Sequence, residues 1–199
     1  MKRYNLRTIL IGCLFVVAAL ACNLSLKLPS NPKPPVPGLV PQASDADAFE
    51  QNFQQAVNQA AQSGTFSASI TQQQFSSWLA LRAPGYARQQ GYEWPLKDVQ
   101  AGLDNGKITL YGVITQPNVP ETPAQVIFTP SIDGNGELAV SVESGQVGVV
   151  GVPSDILKNL NKTIQDALAS QLNQIKGHYR LTSLNVAGGT LTVSGQVVR

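Results

Sequence analysis

One histidine, His178, and two cysteines, Cys13 and Cys22, are the chain's complete set of imidazoles and thiols. That bounds the chemistry at once. A zinc site of the His/Cys type lacks its partners, and a Ser–His–Asp relay would have to be built on His178. There is no G-x-S-x-G elbow, and no Gly-rich loop ending in Lys and Ser/Thr to cradle a phosphate. His178 follows Gly177 at the end of an apolar-periodic run and reads as a C-terminal residue that suits the helix dipole. The run Asp133-Gly134-Asn135-Gly136-Glu137 begins like a calcium loop. An EF-hand wants glycine at position 6 and glutamate at position 12, where this chain has Leu138 and Ser144, so the run reads as a hairpin turn. The pattern argues against an enzyme and implies neither cofactor nor metal.

Cys22 is the residue whose setting does point to chemistry. Lys2, Arg3 and Arg7 precede thirteen apolar or small residues, from Ile9 to Ala21. Such a run is shorter than the roughly 20 residues that span a bilayer and fits a secretory signal core. Ala19-Leu20-Ala21-Cys22 closes it, and cleavage before Cys22 satisfies either an ordinary A-x-A site or a bacterial lipobox whose cysteine is acylated. Ala19 and Leu20 depart from the usual lipobox residues. Cys13 leaves with the signal, so Cys22 becomes the sole cysteine and no internal disulfide is possible. Acylation explains a lone N-terminal thiol on a secreted protein; plain secretion and an uncleaved anchor are the other readings. Loss of the three signal cations leaves 11 Lys and Arg against 12 Asp and Glu, a net charge of −1. That balance holds no footprint for nucleic acid.

Residues 22–43 form a linker. Pro29, Pro32, Pro34, Pro35, Pro37 and Pro41 forbid helix and favour extended polyproline II. At about 3.1 Å per residue this spacer reaches roughly 65 Å from Cys22. Residues 44–199 are then one domain, large enough for a core of its own.

The elements of that domain follow from pattern. Ser44 caps a first helix whose apolar face is Phe49, Phe53, Val57 and Ala60, and Ser63-Gly64 stops it. Phe66, Ala68 and Ile70 alternate with polar residues in a short strand. Thr71 and Gln74 make a capping box for a second helix, with Phe75, Trp78 and Leu79 inward and Pro84-Gly85 as its end. Residues 86–94 read as a loop. Within it Tyr86, Tyr92 and Trp94 form either part of the core or an aromatic membrane interface. Strands follow over 96–103 and 107–115, with a turn at Asp104-Asn105-Gly106. Pro117, Pro120 and Pro123 mark a connection, and two further strands span 124–132 and 137–146. A closing hairpin turns at Gly188-Gly189.

Between these strands lies the longest helical pattern. Leu157, Leu160, Ile164, Leu168, Leu172 and Ile175 fall on one stripe, with Ser154 as N-cap, Asp155 in the first turn, and Lys176 and Gly177 at the end. Such a helix is a rod of roughly 33 Å. The fold expected is α+β: a strongly curved antiparallel sheet wrapped around one long amphipathic helix, with two shorter N-terminal helices.

Three motifs carry a resemblance. They are Ser69-Ile70-Thr71-Gln72-Gln73-Gln74-Phe75, the strand Asn105-Gly106-Lys107-Ile108-Thr109-Leu110-Tyr111-Gly112, and the step Gly148-Val149-Val150-Gly151-Val152-Pro153 into the long helix. With the Gly-turned closing hairpin, they resemble the YpmS-like and LmeA-like families over roughly residues 65–198. Those families are similar to the tubular lipid-binding (TULIP-like) proteins. Residues 23–63 have no counterpart, and the Cys22 anchor is not general to these families. The resemblance implies a non-enzymatic envelope domain, tethered to a membrane through Cys22, that binds or transfers phospholipid or another fatty-acyl ligand. Leu157, Leu160, Ile164 and Leu168 would line the helix side of its groove; Ile108, Leu110, Ile114, Val126 and Phe128 would line the sheet side. The alternative is a structural or protein-interaction module in which these same residues are ordinary core.

Overall fold

The computed structural model describes residues 30–89, 91, 94–116, 119–158, 161–162 and 179–198. Cys22, Tyr92, Leu160, Ile164, Leu168 and His178 lie outside them.

The chain is α+β with antiparallel pairing throughout. Helices α1 (Ala43–Ser63), α2 (Gln72–Leu81) and α3 (Ala83–Gln89) surround β1 (Thr65–Thr71). Then come β2 (Leu96–Asp104), β3 (Lys107–Gln116), β4 (Val119–Ile132), β5 (Leu138–Val147) and β6 (Val150–Gly151), and finally β7 (Arg180–Ala187) and β8 (Thr190–Gln196). The strands divide between two sheets rather than forming one wrap. Strand β1 joins the closing hairpin in the order β1-β8-β7, and β2 to β6 pair in sequence order. Neither sheet is strongly curled.

Local chemistry sets most boundaries. Thr71 Oγ1 accepts from Gln74 N at 3.2 Å while Gln74 Oε1 accepts from Thr71 N at 3.0 Å, the expected capping box. Asn105 and Gly106 both have positive φ, as do Gly188 and Gly189, which gives two-residue hairpins that follow the strand twist. At the third hairpin Asp133 Oδ1 accepts from Asn135 N and Glu137 N, so its carboxylate serves the turn itself.

Four expectations are corrected. The first helix starts at Ala43, not after Ser44, because Gln42 holds the cap position and its N–H donates to Ser77 Oγ. Its buried residues are Ala46 and Ala56, which allow close approach, while Phe53 and Val57 are 49% and 48% exposed. Pro84-Gly85 does not end the helical region: Pro84 is the second residue of α3, where its missing N–H belongs to a turn without intrahelical partners anyway. Strand β4 runs through Pro120 and Pro123. The Pro123 carbonyl meets Gly148 N just past the end of the β5 ladder, so the nitrogen beside it faces no ladder partner.

The proline-rich stretch holds the fourth. Its second half is docked, not a free spacer. Ser30 O accepts from Gln146 Nε2 at 2.8 Å, Pro32 is buried, and Val36 N donates to Gln100 Oε1. Gly102 leaves room for Pro35, whose Cβ lies 2.6 Å from where a Cβ on residue 102 would stand. Residues 30–41 thus cross one face of the five-stranded sheet from β5 to β2. Buried Tyr111 and Gln100 are cross-strand partners on that face. Polyproline geometry suits the docking, because a stiff segment loses little entropy when fixed.

The opposite face carries the core. Leu103 and Ala101 of β2 pair with Ile108 and Leu110 of β3, which pair in turn with Phe128 and Val126 of β4. Phe75, Trp78 and Leu79 of α2 close over them, and Val186 of β7 completes the cluster.

Candidate functional site

Strand β5 presents Leu138, Val140 and Val142 to the core face through its period of two. A register shift opposite Ile127 and Phe128 then leaves Glu143 unpaired, turning Gly145 and Val147 inward after it. Gly145 is required by its neighbours. A Cβ there would stand 2.9 Å from Val152 Cγ2 and 3.3 Å from Leu157 Cδ2. Val152 N donates to Gly145 O at 2.8 Å, which brings the next segment against the strand.

From there the chain enters a helix. Residues 154–158 are helical, and Ile156 N and Leu157 N both donate to Pro153 O. Pro153 therefore holds the cap position expected of Ser154, because its carbonyl already accepts the first intrahelical bond. Asp155 sits in the first turn as expected, 3.8 Å from Lys158 Nζ on the surface. Asn161 Oδ1 accepts from Val142 N at 3.0 Å. The start of the helix is thus pinned to β5 at two points, running beside the sheet's last long strand.

Closure of the core face grades across the sheet. Ile114 is 0% exposed and Val126 2%, with Leu110 and Phe128 also buried in the core cluster that includes Phe75, Trp78 and Leu79. Ile108, Leu138, Val140, Val142 and Val147 are only half-buried, as is Leu157. Of the expected groove residues, then, Leu110, Ile114, Val126 and Phe128 are core, and Ile108 borders the open side. Leu157 is brought onto β5, beside the Gly145 that pairs with Val126. Sequence reasoning missed Val142, Gly145, Val152 and Asn161. Gly145 carried a signal, since a lone glycine in a strand pattern marks a bulge or a close approach.

The aromatic cluster is structural where it is described. Trp78 stacks on Phe49 and Tyr86, and Trp78 Nε1 and Tyr86 Oη both donate to Glu50 Oε1, at 3.1 and 3.0 Å. Tyr86 is thus on a helix against the core and not on a membrane-facing loop; Trp94 packs on the same core. Nearby, Asp47 pairs with Arg82 on the surface and holds its guanidinium pKa above the usual value.

On the back face Glu143 accepts from Lys107 and Thr129, which lowers its pKa, the lysine bond contributing most. Lys97 is raised chiefly by its bond to Glu121. Burial raises the Tyr111 phenol, with Asp98 adding to the shift. Among the described residues no three His, Cys, Asp or Glu side chains gather to hold a metal ion, and no helix is long and apolar enough to cross a membrane.

Comparison with protein-family models, with curated proteins and with solved structures finds no match for this chain.

Proposed function

We propose that this chain is a non-enzymatic, lipid-anchored domain of a bacterial envelope that holds the acyl part of a phospholipid or similar amphiphile. The ligand would lie between the helix beginning at residue 154 and the β5 side of the sheet. The observation supporting this is the gradient of closure. Leu110, Ile114, Val126 and Phe128 of β3 and β4 are buried, whereas Val140, Val142 and Leu157 stay half-buried on one strip. Each CH2 of an acyl chain moved from water onto such a strip gains about 0.8 kcal/mol. The expected long helix along this strip, with Leu160, Ile164 and Leu168, belongs to the same proposal. So does acylation of Cys22, which rests on the signal-like segment before it.

The test is lipid recovery. Protein carrying Cys22→Ser, purified without detergent, should release phospholipid or fatty acid on extraction and take up a fluorescent fatty acid. Val142→Trp, which fills the strip, should reduce that uptake while the fold persists. An empty protein that takes up neither probe would overturn the reading. A second reading, a protein-interaction module, is favoured by one observation: Phe53 and Val57 stand together, exposed, on α1. For that reading Phe53→Ser should abolish a pull-down that Val142→Trp leaves intact.

A further inference from the structure

The docked half of the proline-rich stretch decides how far, and in which direction, an anchor at Cys22 can hold the domain. Residues 23–43 taken as free spacer would reach roughly 65 Å. Among the described residues the contacts start with Ser30, so the chain is committed to the sheet from there at the latest. Beside Gln146, Asn31 Oδ1 lies 3.9 Å from the Cβ position of Gly148, and Pro32 is buried. At the other end of the strap Gln73 Nε2 donates to Val40 O and Gln42 N to Ser77 Oγ, which ties it to α2. Eight Cα steps remain between Cys22 and Ser30, and a fully extended chain covers at most about 29 Å over them.

That length is short against the domain. Strand β4 alone, from Glu121 to the turn at Asp133, covers about 41 Å at the usual strand rise. Ser30 enters near one end of this strand. Gln146 pairs with Gln125, and Gly148 donates to Pro123 O. The same end carries Pro95, whose carbonyl accepts from Thr115 N, next to half-buried Trp94. Half-buried Val149 and Val150 stand at the β5–β6 turn there. At the opposite end Gly106 N donates to Val186 O and Gly136 O accepts from Leu181 N, so the turns of the large sheet are capped by β7.

We propose that the strap of residues 30–41 orients the domain on the membrane, so that the lipid surface meets the end carrying Trp94, Thr122, Gly148 and Val149. The β7-capped turns face away. The Gly145–Leu157 contact lies one residue from the strap's entry at Gln146, so this end of the apolar strip is the one brought nearest the bilayer. This rests on the anchor and ligand reading above.

Energy transfer from single labelled cysteines tests the orientation. The full chain, processed at its own signal, is reconstituted into phosphatidylethanolamine–phosphatidylglycerol vesicles that carry a headgroup acceptor. Dye is attached at Glu121→Cys or at Asn135→Cys, both exposed positions. Transfer from position 121 should exceed that from position 135 by about threefold, given their separation of up to about 41 Å along β4. Insertion of about 20 Gly and Ser residues between Leu26 and Lys27, a flexible leash, should erase most of the difference. Equal or reversed transfer in a protein that floats with the vesicles overturns the orientation and leaves the anchor standing. A parent chain that fails to float, or that takes up dye at Cys22, overturns the proposal together with the anchor.

Discussion

Strand β2 is the edge of the five-stranded sheet, and Ser76 of α2 closes that edge. Its Oγ accepts from Ala101 N at 2.8 Å and donates to Ala101 O at 3.2 Å. Both residues are 0% exposed. Ser76→Ala would therefore remove two hydrogen bonds and strand a backbone donor and acceptor where water has no access. Each buried group left without a partner costs about 1–3 kcal/mol, so the expected loss is about 2–6 kcal/mol. Urea unfolding followed by fluorescence of buried Trp78 measures it. With a slope of about 2 kcal/mol per molar, the midpoint should fall by about 1–3 M with the slope unchanged. Ser77→Ala is the comparison. Its Oγ accepts only from Gln42 N, at a partly exposed site, and should cost about 1 kcal/mol. A Ser76→Ala protein within about 0.5 kcal/mol of the parent would show that the edge of β2 does not depend on this hydroxyl.

Three further outcomes follow from single contacts. Gly195→Ala puts a Cβ 2.6 Å from Arg180 O and 2.5 Å from Phe66 Cζ, where backbone cannot yield; it should destabilise by about 2 kcal/mol or more, while Gly151→Ala, with open space around it, stays within about 1 kcal/mol in the same urea titration. Gly102→Val drives a side chain into Pro35, so limited proteolysis should cleave within residues 30–41 sooner while the domain's midpoint changes little. The lowered pKa of Glu143 means that its stabilising contribution is present above the unfolded carboxylate range and is lost as pH falls through the folded value. Stability measured from pH 6 down to 3 should accordingly fall less steeply in Glu143→Gln than in the parent.

What was legible in the sequence was whatever short-range chemistry determines. Thr71 and Gln74, Asn105-Gly106, Gly188-Gly189 and the alternation of Phe66, Ala68 and Ile70 each fix a local geometry within a few residues, and each is found as read. The partition into two sheets was not legible, because β1 reaches its partner β8 across more than a hundred residues. Periodicity named Phe49, Phe53 and Val57 as one face of α1, yet close packing on α2 selects Ala46 and Ala56 and leaves Phe53 and Val57 outside. Proline count alone made residues 30–41 a spacer; only the missing Cβ of Gly102 makes room for Pro35 to dock. For the candidate groove, sequence selected the inward faces of β3 and β4 but could not say that Leu110, Ile114, Val126 and Phe128 are fully buried there while the inward residues of β5 are only half-buried.

The sheet edges limit how this domain can bind anything. Asn52 Nδ2 donates to Ser69 O and Gln59 Oε1 accepts from Ser67 N, so α1 satisfies the outer edge of β1. Ser76 does the same for β2, two hairpin turns for β7, and Asn161 for β5. A partner that added a strand would have to displace one of these side chains or turns first, at about 1 kcal/mol or more for each bond broken. Recognition through backbone pairing is thus disfavoured at each of these points, and recognition through faces is left. Two apolar faces bear on the readings above: the half-buried strip of β5 with Leu157, and the Phe53–Val57 ridge of α1. The first is the lipid site proposed above; the second is the surface of the protein-interaction reading. Lipid extraction with Val142→Trp and pull-down with Phe53→Ser perturb the two independently, because the residues lie on elements that share no described hydrogen bond.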